Sequence, residues 1–142
     1  MSGSRVMVDS SAWIDYLRKG EGATADRIDE LIDSGCASIC GVIEMELLHG
    51  CKKTERRELE ELLSALDYVE AARDDYIAAG ELLSELRQAG IKIPATDALI
   101  AALCIRENLP LLTLDKHFER ITRLKLLPAD DGQPDVGSPR TK

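Results

Sequence analysis

Aromatic residues are scarce. One Trp, one Phe and three Tyr, 4% of 142 residues, leave little surface on which unpaired bases could stack. Basic residues are also in deficit, since 18 Lys and Arg against 26 Asp and Glu give a net charge of −8. That balance argues against indiscriminate binding of polyanions, because proteins that grip phosphates do so chiefly with Lys and Arg. Neither of the two histidines, His49 and His117, has the spacing of a zinc-protease helix, so both are expected at the surface or beside a site rather than as ligands. Cys36, Cys40, Cys51 and Cys104 include no pair with zinc-knuckle spacing and lie in or beside apolar segments, which predicts buried thiols. The longest apolar stretch, residues 99–105, cannot span a bilayer. The N-terminal Met-Ser-Gly-Ser-Arg lacks the basic and then apolar segments of a signal peptide. A soluble, cytoplasmic protein with no membrane partner is expected.

What is present is one domain's worth of hydrophobic residues, 44% of the chain. Residues 5–9, Arg-Val-Met-Val-Asp, read as a strand that leads through Ser10 and Ser11 into a helix containing Ala12, Trp13, Ile14 and Leu17. Trp13 is expected in the core. A helix follows over 24–34, with Ile28, Leu31 and Ile32 on one face, then a buried strand over 36–40 and a helix over 42–49 that Gly50 ends. Residues 55–66 and 74–89 read as amphipathic surface helices, the second burying Tyr76, Ala79, Leu83 and Leu86. The segment 96–106 is apolar almost all round, which predicts a helix packed inside. Leu111 to Leu114 forms a strand too apolar for a wet face, followed by a short helix through Phe118 and Ile121 and an apolar segment at 124–127. Continuously apolar strands alternating with helices predict a parallel sheet covered on both faces, with a domain over 1–127 and a mobile polar tail over 128–142.

In such a sheet all strands end on one side, so Asp9 and Asp115 emerge along the carboxyl edge where α/β folds bind ligands. Asp97 opens the most buried helix, where an unpaired carboxylate is costly. Each of these aspartates stands where an N-cap would, and capping alone explains any one of them. Their convergence on one edge is better explained by cations between them, because clustered carboxylates repel. Hard divalent ions take oxygen ligands, with water and phosphate completing the shell. Two such ions would reduce the net charge to about −4.

The order of four motifs is distinctive: Val8-Asp9-Ser10-Ser11, Glu46-Leu47-Leu48-His49-Gly50, Thr96-Asp97-Ala98-Leu99-Ile100-Ala101-Ala102 and Leu112-Thr113-Leu114-Asp115-Lys116-His117-Phe118. Over residues 5–127 the chain resembles a PIN-domain nuclease, specifically the VapC-like toxins of toxin–antitoxin pairs. The resemblance implies a three-layer α/β/α, Rossmann-like fold around a parallel sheet of four to five strands. It implies that Asp9, Glu46, Asp97 and Asp115 hold one or two Mg2+ or Mn2+ ions for hydrolysis of RNA phosphodiester bonds, leaving a 5′-phosphate and a 3′-hydroxyl, with Ser10 and Thr113 as polar supports. Asp115 occupies the most variable position of the family pattern. Glu44 competes with Glu46: two residues apart on a helix, they face nearly opposite sides, and periodicity does not decide between them. The motif position favours Glu46.

RNA contacts are sought among Arg18, Lys19, Lys52, Lys53, Arg56, Arg57, Lys116 and Arg120. The shortage of aromatics points to structured RNA read by shape. The resemblance further implies a homodimer and a cognate antitoxin that covers the acidic cleft. The alternative is a PIN-like binding module without turnover. Phosphotransfer chemistry fits poorly, because an aspartate phosphatase needs a second Asp two positions after the first, where Ser11 stands, and a receiver needs adjacent acids, where Ser10 follows Asp9.

Overall fold

The computed structural model describes residues 4–128. The elements run β1 (Val6–Val8), α1 (Ser10–Lys19), α2 (Ala23–Asp33), β2 (Ala37–Cys40), α3 (Gly41–Gly50), α4 (Arg56–Ser64), β3 (Asp67–Val69), α5 (Arg73–Gln88), α6 (Ala95–Glu107), β4 (Leu111–Leu112) and β5 (Leu126–Leu127). Short 3-10 turns occupy Lys53–Glu55 and Lys116–Arg120. The five strands pair in parallel in the order β3-β2-β1-β4-β5. Every residue of β1, β2 and β4 is buried, so both faces of the sheet are covered, as continuous apolar strands require. The tail expected from residue 128 lies, beyond Pro128, outside the described residues. No helix among the described residues is long and apolar enough to cross a membrane.

The chain steps outward from β1 through β2 to β3, then returns to the other side of β1 to lay down β4 and β5. The order therefore reverses between β1 and β4, and at such a switch point the flanking connections part and leave a crevice at the carboxyl ends of the strands. Helix α6 runs through the interior with all residues from Asp97 to Cys104 buried, as its all-round apolar pattern predicts. Trp13 is fully buried and meets Tyr16 edge to face, with ring centroids 5.8 Å apart. Cys36, Cys40 and Cys104 are buried thiols and Cys51 is half-buried.

Three local expectations change. The strand expected over Leu111 to Leu114 pairs only at Leu111–Leu112, and Leu114 is exposed beyond its end. Asp67–Val69 pairs with β2 as an edge strand that has no apolar run to announce it, and Tyr68 is exposed. Helix α5 buries Asp75, Ala79, Leu82 and Leu86, leaving Tyr76 exposed, so its inner face is rotated by about one residue from the expected one.

The rotation has a polar cause. Arg106 on α6 holds Asp75 through two bonds, Nε to Oδ1 at 2.7 Å and Nη2 to Oδ2 at 3.0 Å, and Nη2 also reaches the Glu70 carbonyl at 2.9 Å. The Ala72 backbone N–H donates to Asp75 Oδ2 at 2.8 Å, capping α5. Burial pushes the Asp75 carboxyl up, but Arg106 and this N–H prevail and hold it below its ordinary value. The pair therefore stabilises the fold above the unfolded-state pKa, and that stability is lost as pH falls through the lower folded value. Replacing Arg106 with Ala strands a buried carboxylate and is expected to cost on the order of 2–3 kcal/mol in urea unfolding at neutral pH. A loss below about 0.5 kcal/mol, the level of an exposed ion pair, would show that the contact does not anchor α5 to α6.

Candidate active site

Asp9 follows β1 directly and Thr113 follows β4, with the Asp9 N–H still bonded to the Leu112 carbonyl at 2.9 Å. The two residues thus leave adjacent strands side by side at the switch point. Asp9 is 4% exposed and stands at the N-cap position of α1, yet its side chain makes no cap bond. Its Oδ2 instead accepts from Thr113 Oγ1 at 2.8 Å and Ser11 Oγ at 2.9 Å. Both hydroxyls also accept a backbone N–H, Thr113 from Asp115 at 3.0 Å and Ser11 from Leu114 at 2.9 Å. The two hydroxyls also lie 3.1 Å from each other, so Asp9 Oδ2, Ser11 and Thr113 form one hydrogen-bonded group tied to the backbone after β4.

Asp97 sits in the first turn of α6 behind Pro94, which has no side-chain donor or acceptor for capping. Burial pushes its carboxyl up to about 6, and the charges of Asp9 and Asp115 push in the same direction, while His117 opposes them. His117 Nδ1 lies 3.3 Å from Asp97 Oδ2 and 3.1 Å from Asp115 Oδ1. Asp115 is the one aspartate of this group whose side chain does cap, accepting the His117 N–H at 2.9 Å across the 3-10 turn.

Glu46 and Glu44 part as their spacing requires. Ser10 Oγ donates to Glu46 Oε1 at 2.9 Å, which ties Glu46 to the residue after Asp9. Glu44 instead bears on Tyr68, whose hydroxyl is pushed up first by burial and then by the Glu44 charge. Cys40, at the end of β2, is held as a thiol mainly by burial and feels both Asp9 and Glu46. Asp9, Asp97 and Asp115 thus form one electrostatic group, with Glu46 joined to it through Ser10.

Beside the acids opens a cavity of about 490 Å3 lined by residues 90–93 together with Asp115, Lys116, His117, Glu119 and Arg120. Lys116 and Arg120 are thus at the site. Lys92, which sequence reasoning passed over, joins them. Arg18 and Lys19 end α1, roughly 12–15 Å along the helix from Asp9 at about 1.5 Å per residue. Lys52 and Lys53 follow the far end of α3, and Arg56 and Arg57 open α4; none of these six lines the cavity. Ser11 was also missed as a support, because its role depends on the Leu114 backbone, which is 103 residues away in sequence.

The sequence matches the PIN domain family over residues 6–124. The chain belongs to the PIN-domain family. Among its curated relatives is a VapC ribonuclease of Mycobacterium bovis, 31% identical over 129 residues that cover 87% of this chain and 96% of the relative. Ribonuclease VapC2 of Rickettsia felis is 29% identical over 126 residues, covering 84% and 94%. The solved structure of VapBC2 from Rickettsia felis, bound to a DNA fragment from its promoter, superposes with a TM-score of 0.72 at 26% identity, covering 87% of this chain and 97% of that one. DNA-bound VapBC from Salmonella typhimurium shares the fold with a TM-score of 0.75 at 21% identity, over 89% and 99%.

The site of this PIN domain suits a divalent ion. Asp97, Asp115 and His117 each offer a ligand atom, all within 4.8 Å of one another, and the acids repel when nothing lies between them. The repulsion has a measurable sign. Asp97 ionises near 3.8 when unfolded and near 6 when folded, so its charge opposes folding increasingly from about pH 4 and fully above about pH 6. In EDTA, Asp97→Asn is expected to raise stability by on the order of 2 kcal/mol at pH 7.5, with the gain shrinking towards zero near pH 4. Unfolding curves at the two pH values check this, and a variant less stable than wild type at pH 7.5 contradicts it.

Proposed function

We propose that this PIN domain is a metal-dependent endoribonuclease that hydrolyses RNA phosphodiester bonds at the carboxyl edge, as the toxin of a toxin–antitoxin pair. The observation that carries the reading is the juxtaposition at the switch point. The repelling carboxylate group borders, through Asp115 and His117, a groove that Lys92, Lys116 and Arg120 also line. The ribonuclease names of relatives that align along most of the chain support the same activity.

Asp9, Asp97 and Asp115 would hold the ion, Mg2+ or Mn2+, with Glu46 at the side of Ser10. When bound, a divalent ion supplies positive charge for a scissile phosphate and lowers the pKa of water. The chain's own residues do the remaining work. Thr113 and Ser11 fix the Asp9 carboxylate in one orientation through its Oδ2. Ser10 does the same for Glu46. These hydroxyls are committed to carboxylates and neither serine is paired with an imidazole, so water is the attacking group. Lys116 and Arg120 neutralise phosphates on either side of the reacting bond.

Similarity to VapBC complexes supports a cognate antitoxin as partner, and the exposed Leu114 beside the site, with Ile14 and Leu17 farther along α1, gives it apolar surface. A homodimer is part of the same proposal.

Partner-free protein incubated with total RNA and Mg2+ or Mn2+ is expected to produce discrete cuts that EDTA abolishes. Asp9→Asn and Asp97→Asn should each reduce the rate by on the order of a hundredfold or more. Intact RNA in every lane, with the metal still bound, would favour a binding module. On the RNA that is cut, Lys116→Ala and Arg120→Ala should each raise KM several-fold and lower the salt dependence of binding by about one phosphate contact, with kcat within about twofold. A fall in kcat at constant KM would instead put the lost side chain in the transition state.

A further inference from the structure

We propose that His117 is a ligand of the ion, contributing one nitrogen beside oxygens from Asp97 and Asp115, and that this donor set favours Mn2+ and other first-row transition ions over Mg2+. The inference rests on the reading of the carboxyl edge as a divalent-ion site, and adds a residue and a selectivity to it.

A single atom, His117 Nδ1, lies 3.3 Å from an Asp97 oxygen and 3.1 Å from an Asp115 oxygen. Neighbouring ligands around an octahedral ion with bonds of about 2.1 Å are about 3.0 Å apart, and around a tetrahedral ion with the same bonds about 3.4 Å apart. Both observed separations fall in that interval. An imidazole carries at most one hydrogen on Nδ1, so hydrogen bonding alone satisfies one of two carboxylates that stand at nearly equal distance. The nitrogen and the two acids offer ligand atoms that all lie within 4.8 Å of one another, a set that could share one ion.

The residue is also held where a ligand needs to be. Phe118, the next residue, is fully buried and anchors the turn, and the His117 N–H is tied to Asp115 Oδ1 at 2.9 Å. The ring itself is 51% exposed and lines the cavity, which leaves room for water or phosphate on the open side of the ion. Imidazole suits the later first-row ions best, Mn2+ takes it beside carboxylates and least tightly of the series, and Mg2+ prefers oxygen and gains little from it.

The test is binding rather than turnover. Metal-free protein is titrated with Mn2+, Co2+ and Mg2+ by calorimetry, and pulsed electron paramagnetic resonance is recorded on the Mn2+ form, for the wild type, His117→Gln and Asp97→Asn. Thermal melts establish that the variants fold; residue 117 is exposed enough for its replacement to be tolerated. The wild type should bind Mn2+ and Co2+ roughly tenfold or more tighter than Mg2+ and show 14N coupling of a directly bound imidazole. His117→Gln should lose the nitrogen coupling and roughly tenfold in Mn2+ and Co2+ affinity, while Mg2+ affinity stays within about twofold. Wild-type Mn2+ binding without nitrogen coupling, or with affinities unchanged in His117→Gln and lost in Asp97→Asn, overturns the role of His117 and leaves the acidic metal site standing. Absence of binding by any ion to the wild type overturns both.

Discussion

Asp97 resists ionisation because the fold places it on a buried helix with Asp9 and Asp115 beside it, and the rest of the carboxyl edge is arranged around that repulsion. In a loop the three side chains would swing apart. Here they cannot. Asp9 is fixed by two hydroxyls that are themselves bonded to backbone N–H groups, Asp115 is tied into its turn, and Asp97 sits on a helix buried on every side. The reversal of strand order between β1 and β4 brings these elements together. An edge built this way is organised for positive charge before any arrives, which is what a phosphodiester-cleaving centre needs.

A second buried aspartate shows what the fold does when it intends a carboxylate for structure. Asp75 is 3% exposed, much like Asp97 at 8%, but Arg106 grips both its oxygens and its pKa falls where that of Asp97 rises. Burial acts upward on both. The difference lies in the partner: an arginine fixed on the neighbouring helix in one case, two further acids in the other. Opposite shifts under similar burial separate the acid that holds α5 to α6 from the acid whose charge no fixed cation balances. The same contrast runs through the surface, where a chain with net charge −8 still lines the groove beside its acids with Lys92, Lys116 and Arg120.

Much of this was readable from the sequence wherever the signal was local and apolar. The strands around Val6–Val8 and Ala37–Cys40 and the interior helix Ala95–Glu107 announce themselves by unbroken hydrophobic runs, and their alternation fixes a parallel sheet and hence a shared edge for Asp9 and Asp115. Asp67–Val69 was invisible because one charged residue, one exposed aromatic and one valine make no pattern; only pairing with β2 makes them a strand. The inner face of α5 was misread by a residue because a leucine count ignores the pull of Arg106 on Asp75. Glu46 and Glu44 could not be separated by periodicity, since each shares its side of α3 with apolar neighbours, and the Ser10 bond that distinguishes them is tertiary. Ser11 and Lys92 were passed over for the same reason, since their surroundings are assembled from segments distant in the chain, whereas His117 stands beside the acids, as expected.

The most direct test is to crystallise the protein with Mn2+ and record anomalous scattering at the manganese edge. The account expects a peak at the carboxyl end of β1 and β4, within about 2.3 Å of oxygens from Asp97 and Asp115 and facing Asp9. No peak at that edge, with these carboxylates instead bonded to protein donors, would contradict it.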